Sequence, residues 1–166
     1  MKRIAKLATY LALLSLPLIA RPALAQRAVI LVRHAEKVDS SDDPLLSAVG
    51  EERAKKLAAM LKDAGVTAVV TSEYKRTQLT AAPLVQSLRL TPVVLSSKKP
   101  EDTVALLREK HASDVVLVVG HSNTVPAMLA KLGVDKNVTI GDVDYDNLFI
   151  VVPHDRGTPT FLRLRF

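Results

Sequence analysis

The chain has 166 residues, 48% hydrophobic and 24% charged, as in a globular protein with room for one domain and a proper core. Its formal charge of +6 looks like a nucleic-acid signal, but Lys2, Arg3, Lys6 and Arg21 precede an expected cleavage point. Without them 19 basic residues face 17 acidic ones, which leaves no electrostatic footprint for DNA or another polyanion. Cysteine is absent, which excludes disulfides, thiolate catalysis and a lipoprotein anchor.

Residues 1–25 read as a secretory signal: a basic start, an apolar run over Leu7–Ala20 and the small-x-small pattern Ala23-Leu24-Ala25. The apolar run is shorter than the roughly 20 residues of a spanning helix. The expectation is an exported protein, periplasmic or secreted, beginning at Gln26, with no stable membrane insertion after cleavage. Residues 26–166 form the remaining domain.

Ala28–Val32 is apolar and β-branched and reads as a buried parallel strand ending in Arg33-His34. After a polar loop over 39–44, Ser47 is a natural N-cap for a helix running to about Ala64, with Ala48, Leu57, Ala58 and Leu61 near one face and Gly65 as its stop. A second strand spans 66–71, a helix 77–88, and a short strand 91–95. Pro100 opens a helix continuing over 101–111. Val115–Val119 is an all-apolar strand ending in Gly120-His121, and 123–132 is helical. Strands over 148–152 and 160–165 are joined by the turn Asp155-Arg156-Gly157. This alternation predicts an α/β fold, a three-layer α/β/α sandwich on a mixed, mostly parallel sheet.

Three strand ends carry polar residues with one theme: Arg33-His34; Ser72 to Thr77 with Thr80-Ala81; and Gly120-His121-Ser122-Asn123. In a parallel sheet all three emerge on the same edge, where open α/β sheets place their chemistry. Two histidines and two arginines there make a pocket for a dianionic phosphoryl group. A guanidinium grips two phosphate oxygens at once, and a neutral imidazole can attack phosphorus.

In order and spacing, VRHAEK, SEYKRTQLTA and VVGHSN resemble the motifs of the histidine phosphatase superfamily, the phosphoglycerate-mutase-like fold. The resemblance covers most of the chain after Gln26. It implies a phosphatase acting on phosphomonoesters without metal or cofactor, through a phosphohistidine intermediate on His34. Arg33, Arg76 and His121 would hold the phosphoryl group, with Ser122 beside them on the substrate. Gly120 would let the backbone come close. His34 must attack as the neutral ring, so its other nitrogen is expected to donate to a carbonyl. His121 is expected to be more useful as a cation.

The chain departs from the commonest pattern in two places. Ala35 stands where Gly commonly follows the histidine. The zone of the usual leaving-group acid reads Leu95-Ser96-Ser97-Lys98-Lys99. Glu36, Glu101 and Asp102 remain candidates for that acid. Only 45 positions separate Arg76 from His121, leaving little room for the insertions that enclose substrate in mutase relatives. A phosphohistidine protein phosphatase and a non-catalytic phosphate- or partner-binding module are the competing readings; the phosphorylated ligand itself is not legible.

Asp142, Asp144, Asp146 and Asn147 resemble the start of a calcium loop, but Asn147 and Pro153 occupy the positions that need Gly and Glu, so a polar turn is expected. His111 and His154 lack metal-ligand spacing and read as surface residues. Lys98-Lys99 reads as a solvated loop, and the alternation of Leu162 and Leu164 with Arg163 and Arg165 as an edge strand.

Overall fold

The computed structural model describes residues 27–154 and 156–166. The expected signal over 1–25 and Asp155 of the expected turn lie outside the described residues. The elements run β1 (Ala28–Arg33), α1 (Ala48–Leu61), β2 (Ala68–Ser72), α2 (Lys75–Leu88), β3 (Val93–Leu95), α3 (Pro100–Lys110), β4 (Val115–Gly120), α4 (Thr124–Lys131), β5 (Asn147–Val152) and β6 (Thr160–Arg165).

The six strands form one sheet in the order β3-β2-β4-β1-β5-β6. The first four strands in sequence are parallel, while β5 runs antiparallel to β1 and β6 antiparallel to β5. Period-2 alternation splits the sheet's side chains between two cores. Val29, Leu31, Val116, Val118 and Phe149 pack against α3 and α4. Ile30, Val32, Leu117, Val119 and Leu148 pack against α1 and α2. The result is the expected three-layer α/β/α sandwich.

Helix α1 is capped as expected, with Ser47 Oγ accepting from Gly50 N at 3.2 Å. Its buried stripe is Gly50, Ala54, Leu57 and Leu61, with Ala58 half-buried; Ala48 is exposed, contrary to the face expected for it. One turn from the cap, α1 lies directly on the loop leaving β1. A Cβ at Gly50 would stand 2.3 Å from the Glu36 carbonyl oxygen, so only glycine permits this approach.

Among the boundaries that moved, α1 ends at Leu61 and β2 begins at Ala68, and two others moved for local reasons. Thr91 and Pro92 fall outside β3, since proline has no N–H to give the ladder. Helix α2 begins at Lys75, two residues early, which places Arg76 inside its first turn. The antiparallel sense of β5 matters for the site. Its first residues lie beside the last of β1, with Leu148 opposite Val32, so the loop before β5 is delivered to Arg33.

Candidate active site

The carboxyl ends of β1, β2 and β4 meet around an open cavity of about 320 Å³ whose walls include Arg33, His34, Arg76, His121 and Ser122. The five expected site residues therefore share one cavity. Arg33, His34 and His121 are buried, and Arg76 is half-buried at the start of α2.

His34 is pinned from both sides. Its backbone N–H donates to the Gly120 carbonyl at 2.9 Å, tying the end of β1 to the end of β4. Its ring Nδ1 lies 2.8 Å from the Ala35 carbonyl oxygen. A carbonyl only accepts, so Nδ1 carries the proton and Nε2 keeps its lone pair. Ala35 is fully buried, and its N–H donates to Thr80 Oγ1 at 2.9 Å, joining the loop to α2. Burial pushes the His34 pKa down to about 3; the Ala35 hydrogen bond opposes this, while His121, Arg33 and Arg76 add to it. The ring is neutral across ordinary pH, as expected.

His121 departs from expectation. Burial, then Arg76, holds its pKa down to about 4 against the pull of Glu73, with Arg33 adding to the depression. The pocket therefore holds two neutral imidazoles, with centroids 5.4 Å apart, where a cation was expected at His121. Ser72 Oγ lies 2.9 Å from its Nε2 and 3.0 Å from Thr77 Oγ1, and the His121 N–H donates to Thr124 Oγ1 at 2.9 Å. Gly120 allows α4 this close: a Cβ there would meet Thr124 Oγ1 and Val125 Cγ2 at 3.0 Å.

Each arginine is held by an aromatic face and by backbone carbonyls. Arg33 lies 4.1 Å over the Tyr145 ring and donates to the Gly141 and Asp142 carbonyls at 2.8 and 3.0 Å. Arg76 lies 4.1 Å over the Tyr74 ring and donates to the Asp42 carbonyl at 3.2 Å. The Nε–H of each is buried without a hydrogen-bond partner among the described residues. Orphaned guanidinium donors are costly in a finished interior and suit a site awaiting an oxyanion.

None of the three candidate acids lines the cavity. Glu36 is locked onto Arg53, whose Nε and Nη2 donate to it at 2.7–2.9 Å. Burial raises its pKa, but the Arg53 hydrogen bonds prevail and hold the carboxyl below its ordinary value. Glu101 and Asp102 are exposed in the first turn of α3.

Motif reading missed Tyr145, Lys37 and Ser97. Tyr145 comes from a loop with no periodic signal and reaches Arg33 only through the antiparallel turn into β5. The acidic run before β5 is a turn, as expected: Asp144 accepts from Gly141 N at 3.0 Å, Asp146 pairs with Arg165, and Asn147 accepts from Arg163 at 2.8 Å. Among the described residues no three His, Cys, Asp or Glu converge in a group able to hold a metal ion. His111 is half-buried rather than a free surface residue, its Nδ1 donating to Asp114 at 2.8 Å; His154 is exposed, as expected.

Residues 29–99 match the family model described as the histidine phosphatase superfamily (branch 1). A curated relative, the probable phosphoglycerate mutase GpmB of Escherichia coli, is 29% identical over 90 residues, covering 50% of this chain and 41% of the relative. The chain thus matches under half the length of such relatives. Among solved structures, the protein histidine phosphatase SixA complexed with tungstate superposes with a TM-score of 0.67 at 20% identity, covering 83% of this chain and 96% of that one. The alpha-ribazole phosphatase of Shigella flexneri gives 0.69 at 16% identity, covering 84% and 96%. Residues 29–99, which carry the first two motifs, thus resemble the histidine phosphatase superfamily (branch 1), and the solved structures share the fold on which all three motifs meet.

Proposed function

We propose that the protein is a phosphatase that hydrolyses phosphomonoesters through a phosphohistidine intermediate on His34. The observation that carries this is the His34 ring itself: its Nδ1–H is committed to the Ala35 carbonyl, which leaves the Nε2 lone pair in a cavity walled by Arg33, Arg76 and His121. Phosphoryl transfer asks little more of a protein than positioning and charge stabilisation. Arg33 and Arg76 clamp the equatorial oxygens. Their orientation is set in advance by Tyr145 and Tyr74, so little side-chain freedom is lost when the anion arrives. The Ser72 hydroxyl fixes Nε2 of His121, which leaves Nδ1 for a phosphoryl oxygen. A bound dianion reverses the local field and favours protonation of His121, the state in which it stabilises most. Ser122, on the same wall, is a further contact for substrate.

No helix among the described residues is long and apolar enough to cross a membrane. Export by the 1–25 signal, with release at Gln26 into the periplasm or medium, belongs to the same proposal; amino-terminal sequencing of the extracytoplasmic protein tests it, and intact Met1 in the cytosol overturns it. A phosphohistidine protein phosphatase is the second reading, favoured by the open cavity and by a wall without a carboxylate among the described residues. A screen of phosphorylated metabolites and phosphopeptides with the purified protein separates the two. Binding of inorganic phosphate with no turnover of any phosphoryl donor would instead make the chain a binding module.

A further inference from the structure

Among the described residues, the wall of the cavity holds three cations, Arg33, Lys37 and Arg76, and no carboxylate. Nearby acids are committed elsewhere. Glu36 is bound to Arg53. Glu73 accepts from the Ser97 N–H at 2.8 Å and from its hydroxyl at 3.0 Å, so Ser97 and not the carboxylate forms the wall. Lys37 is three residues beyond His34 on the same loop. That loop is anchored by a backbone bridge from Lys37 to Leu46 and by Val38 N–H on the Leu45 carbonyl at 3.0 Å. The Lys37 side chain makes no ion pair among the described residues. Lys37 lines the same cavity as His34, and the carboxylate that feels its charge, exposed Asp39, accepts from the Ser41 N–H and hydroxyl instead of pairing with it.

We infer that this site takes phosphoryl compounds whose leaving group departs as a stabilised oxyanion, such as aryl or acyl phosphates, and that Lys37 is the cation that receives it. The inference rests on the proposed phosphatase reading and narrows its substrate class. In the first step the His34 Nε2 lone pair forms the P–N bond. The P–O bond to the leaving group breaks, and its electron pair leaves on that oxygen, beside the Lys37 ammonium. In the second step water attacks phosphorus, the P–N electrons return to Nε2, and dihydrogen phosphate leaves with both protons of the water. No carboxylic acid enters either step. An alkoxide leaving group, which needs a proton, is disfavoured by about the 10²–10⁴-fold that a general acid supplies.

The test uses the full chain and a series from para-nitrophenyl phosphate through phenyl phosphate to glycerol phosphate, with acetyl phosphate as the acyl case. The readout is kcat/KM, which reports the steps through loss of the leaving group. The expected result is a fall of about 10²–10⁴ from para-nitrophenyl to glycerol phosphate, with acetyl phosphate among the fast substrates. Lys37→Met is expected to lower kcat/KM more for phenyl than for para-nitrophenyl phosphate, steepening the leaving-group dependence, and to leave hydrolysis of the isolated phosphoenzyme unchanged. Lys37→Arg is expected to restore much of the loss. Equal kcat/KM across the series overturns the substrate class, and an unaltered leaving-group dependence in Lys37→Met overturns the role of that residue. Glu73→Gln, which also loosens Ser97 and removes a charge that favours the His121 cation, is expected to leave the leaving-group dependence unaltered whatever it does to the overall rate; a loss confined to glycerol phosphate would identify Glu73 as an acid and contradict the inference. His34 that labels normally with a flat dependence removes this inference alone, whereas failure of every donor to label His34 removes the phosphatase reading beneath it.

Discussion

At the carboxyl edge of the sheet, His34 and His121 stand with centroids 5.4 Å apart among guanidinium groups, and neither is bonded to a carboxylate. At the opposite edge, beyond the start of β4, His111 donates Nδ1 to Asp114 at 2.8 Å, and Asp114 also accepts from Thr67 Oγ1 at 2.9 Å. Both ends carry arginines and a concavity, Arg27 and Arg108 lining the far one. The far end is internally satisfied: Arg27 and Arg108 donate to the Ala112 and Lys131 carbonyls. Among the described residues, the near end keeps two buried guanidinium donors without partners and one imidazole lone pair free. Charge and histidine content alone do not make a site; what differs is whether the polar groups satisfy one another or wait for a ligand.

Breaking the near end should therefore cost function, and breaking the far end should not. The largest effect is expected from His34→Ala, which removes the nucleophile and should lower kcat by about 10⁴-fold or more. Arg33→Ala, Arg76→Ala and His121→Ala are each expected to lower turnover by about 10²–10³, the scale of one lost preorganised donor. His121→Ala should retain some covalent labelling, because His34 remains. His111→Ala at the far end should leave turnover intact; a loss like that of His121→Ala would erase the contrast.

The two ends should also differ in their response to acid. A histidine whose folded pKa lies below its ordinary 6.5 binds its proton more readily in the unfolded chain, so stability falls as pH drops through that value. For His34 and His121, depressed to about 3 and about 4, the loss sets in near pH 6.5 and is complete only below those values. Between pH 7 and 5 each should cost about 2 kcal/mol, read from denaturant unfolding at the two pH values. Asp114 works oppositely. Its hydrogen bond from His111 holds its carboxyl below the ordinary value, so its contribution persists above that value and is lost only as pH falls through the depressed one. Stability independent of pH between 7 and 5, or an acid loss unrelieved in the His34→Ala/His121→Ala double variant, would contradict the assignment of two neutral imidazoles. Phosphate should offset part of the loss by binding the folded state.

Smaller effects sharpen the link between loop and helix. Gly50→Ala places a methyl against the Glu36 carbonyl at 2.3 Å, an overpacking expected to cost about 1–3 kcal/mol and to lower turnover by displacing His34. Thermal unfolding with a parallel rate measurement separates the two. Strong chelators should leave the rate unchanged, since the phosphoryl clamps in this reading are guanidinium groups; loss on chelation and recovery with a divalent ion would sink the metal-free mechanism.

Much of this was legible in the residues. The strands carry their own periodicity, and a parallel sheet places Arg33, His34, Arg76 and His121 on one edge whatever the loop details. The Nδ1 tautomer of His34 followed from its task. The protonation of His121 did not, because it depends on burial and on Arg76 reaching it from another element. Glu36, Glu101 and Asp102 were plausible acids only by proximity in sequence. Arg53 captures the first from α1, and the exposed first turn of α3 holds the other two. Tyr145 was invisible for the same reason: its position comes from long-range packing and not from local pattern; Lys37 lay within the first motif, and only its place in the cavity lining marks it out.

The most direct test of the account is covalent labelling of the full chain with a phosphoryl donor, followed by peptide mass spectrometry. The account predicts a single acid-labile phosphoramidate on His34, formed and lost at rates consistent with turnover, and absent in His34→Ala. Turnover of phosphomonoesters with no phosphoryl group on His34, or near-native turnover by His34→Ala, would contradict it.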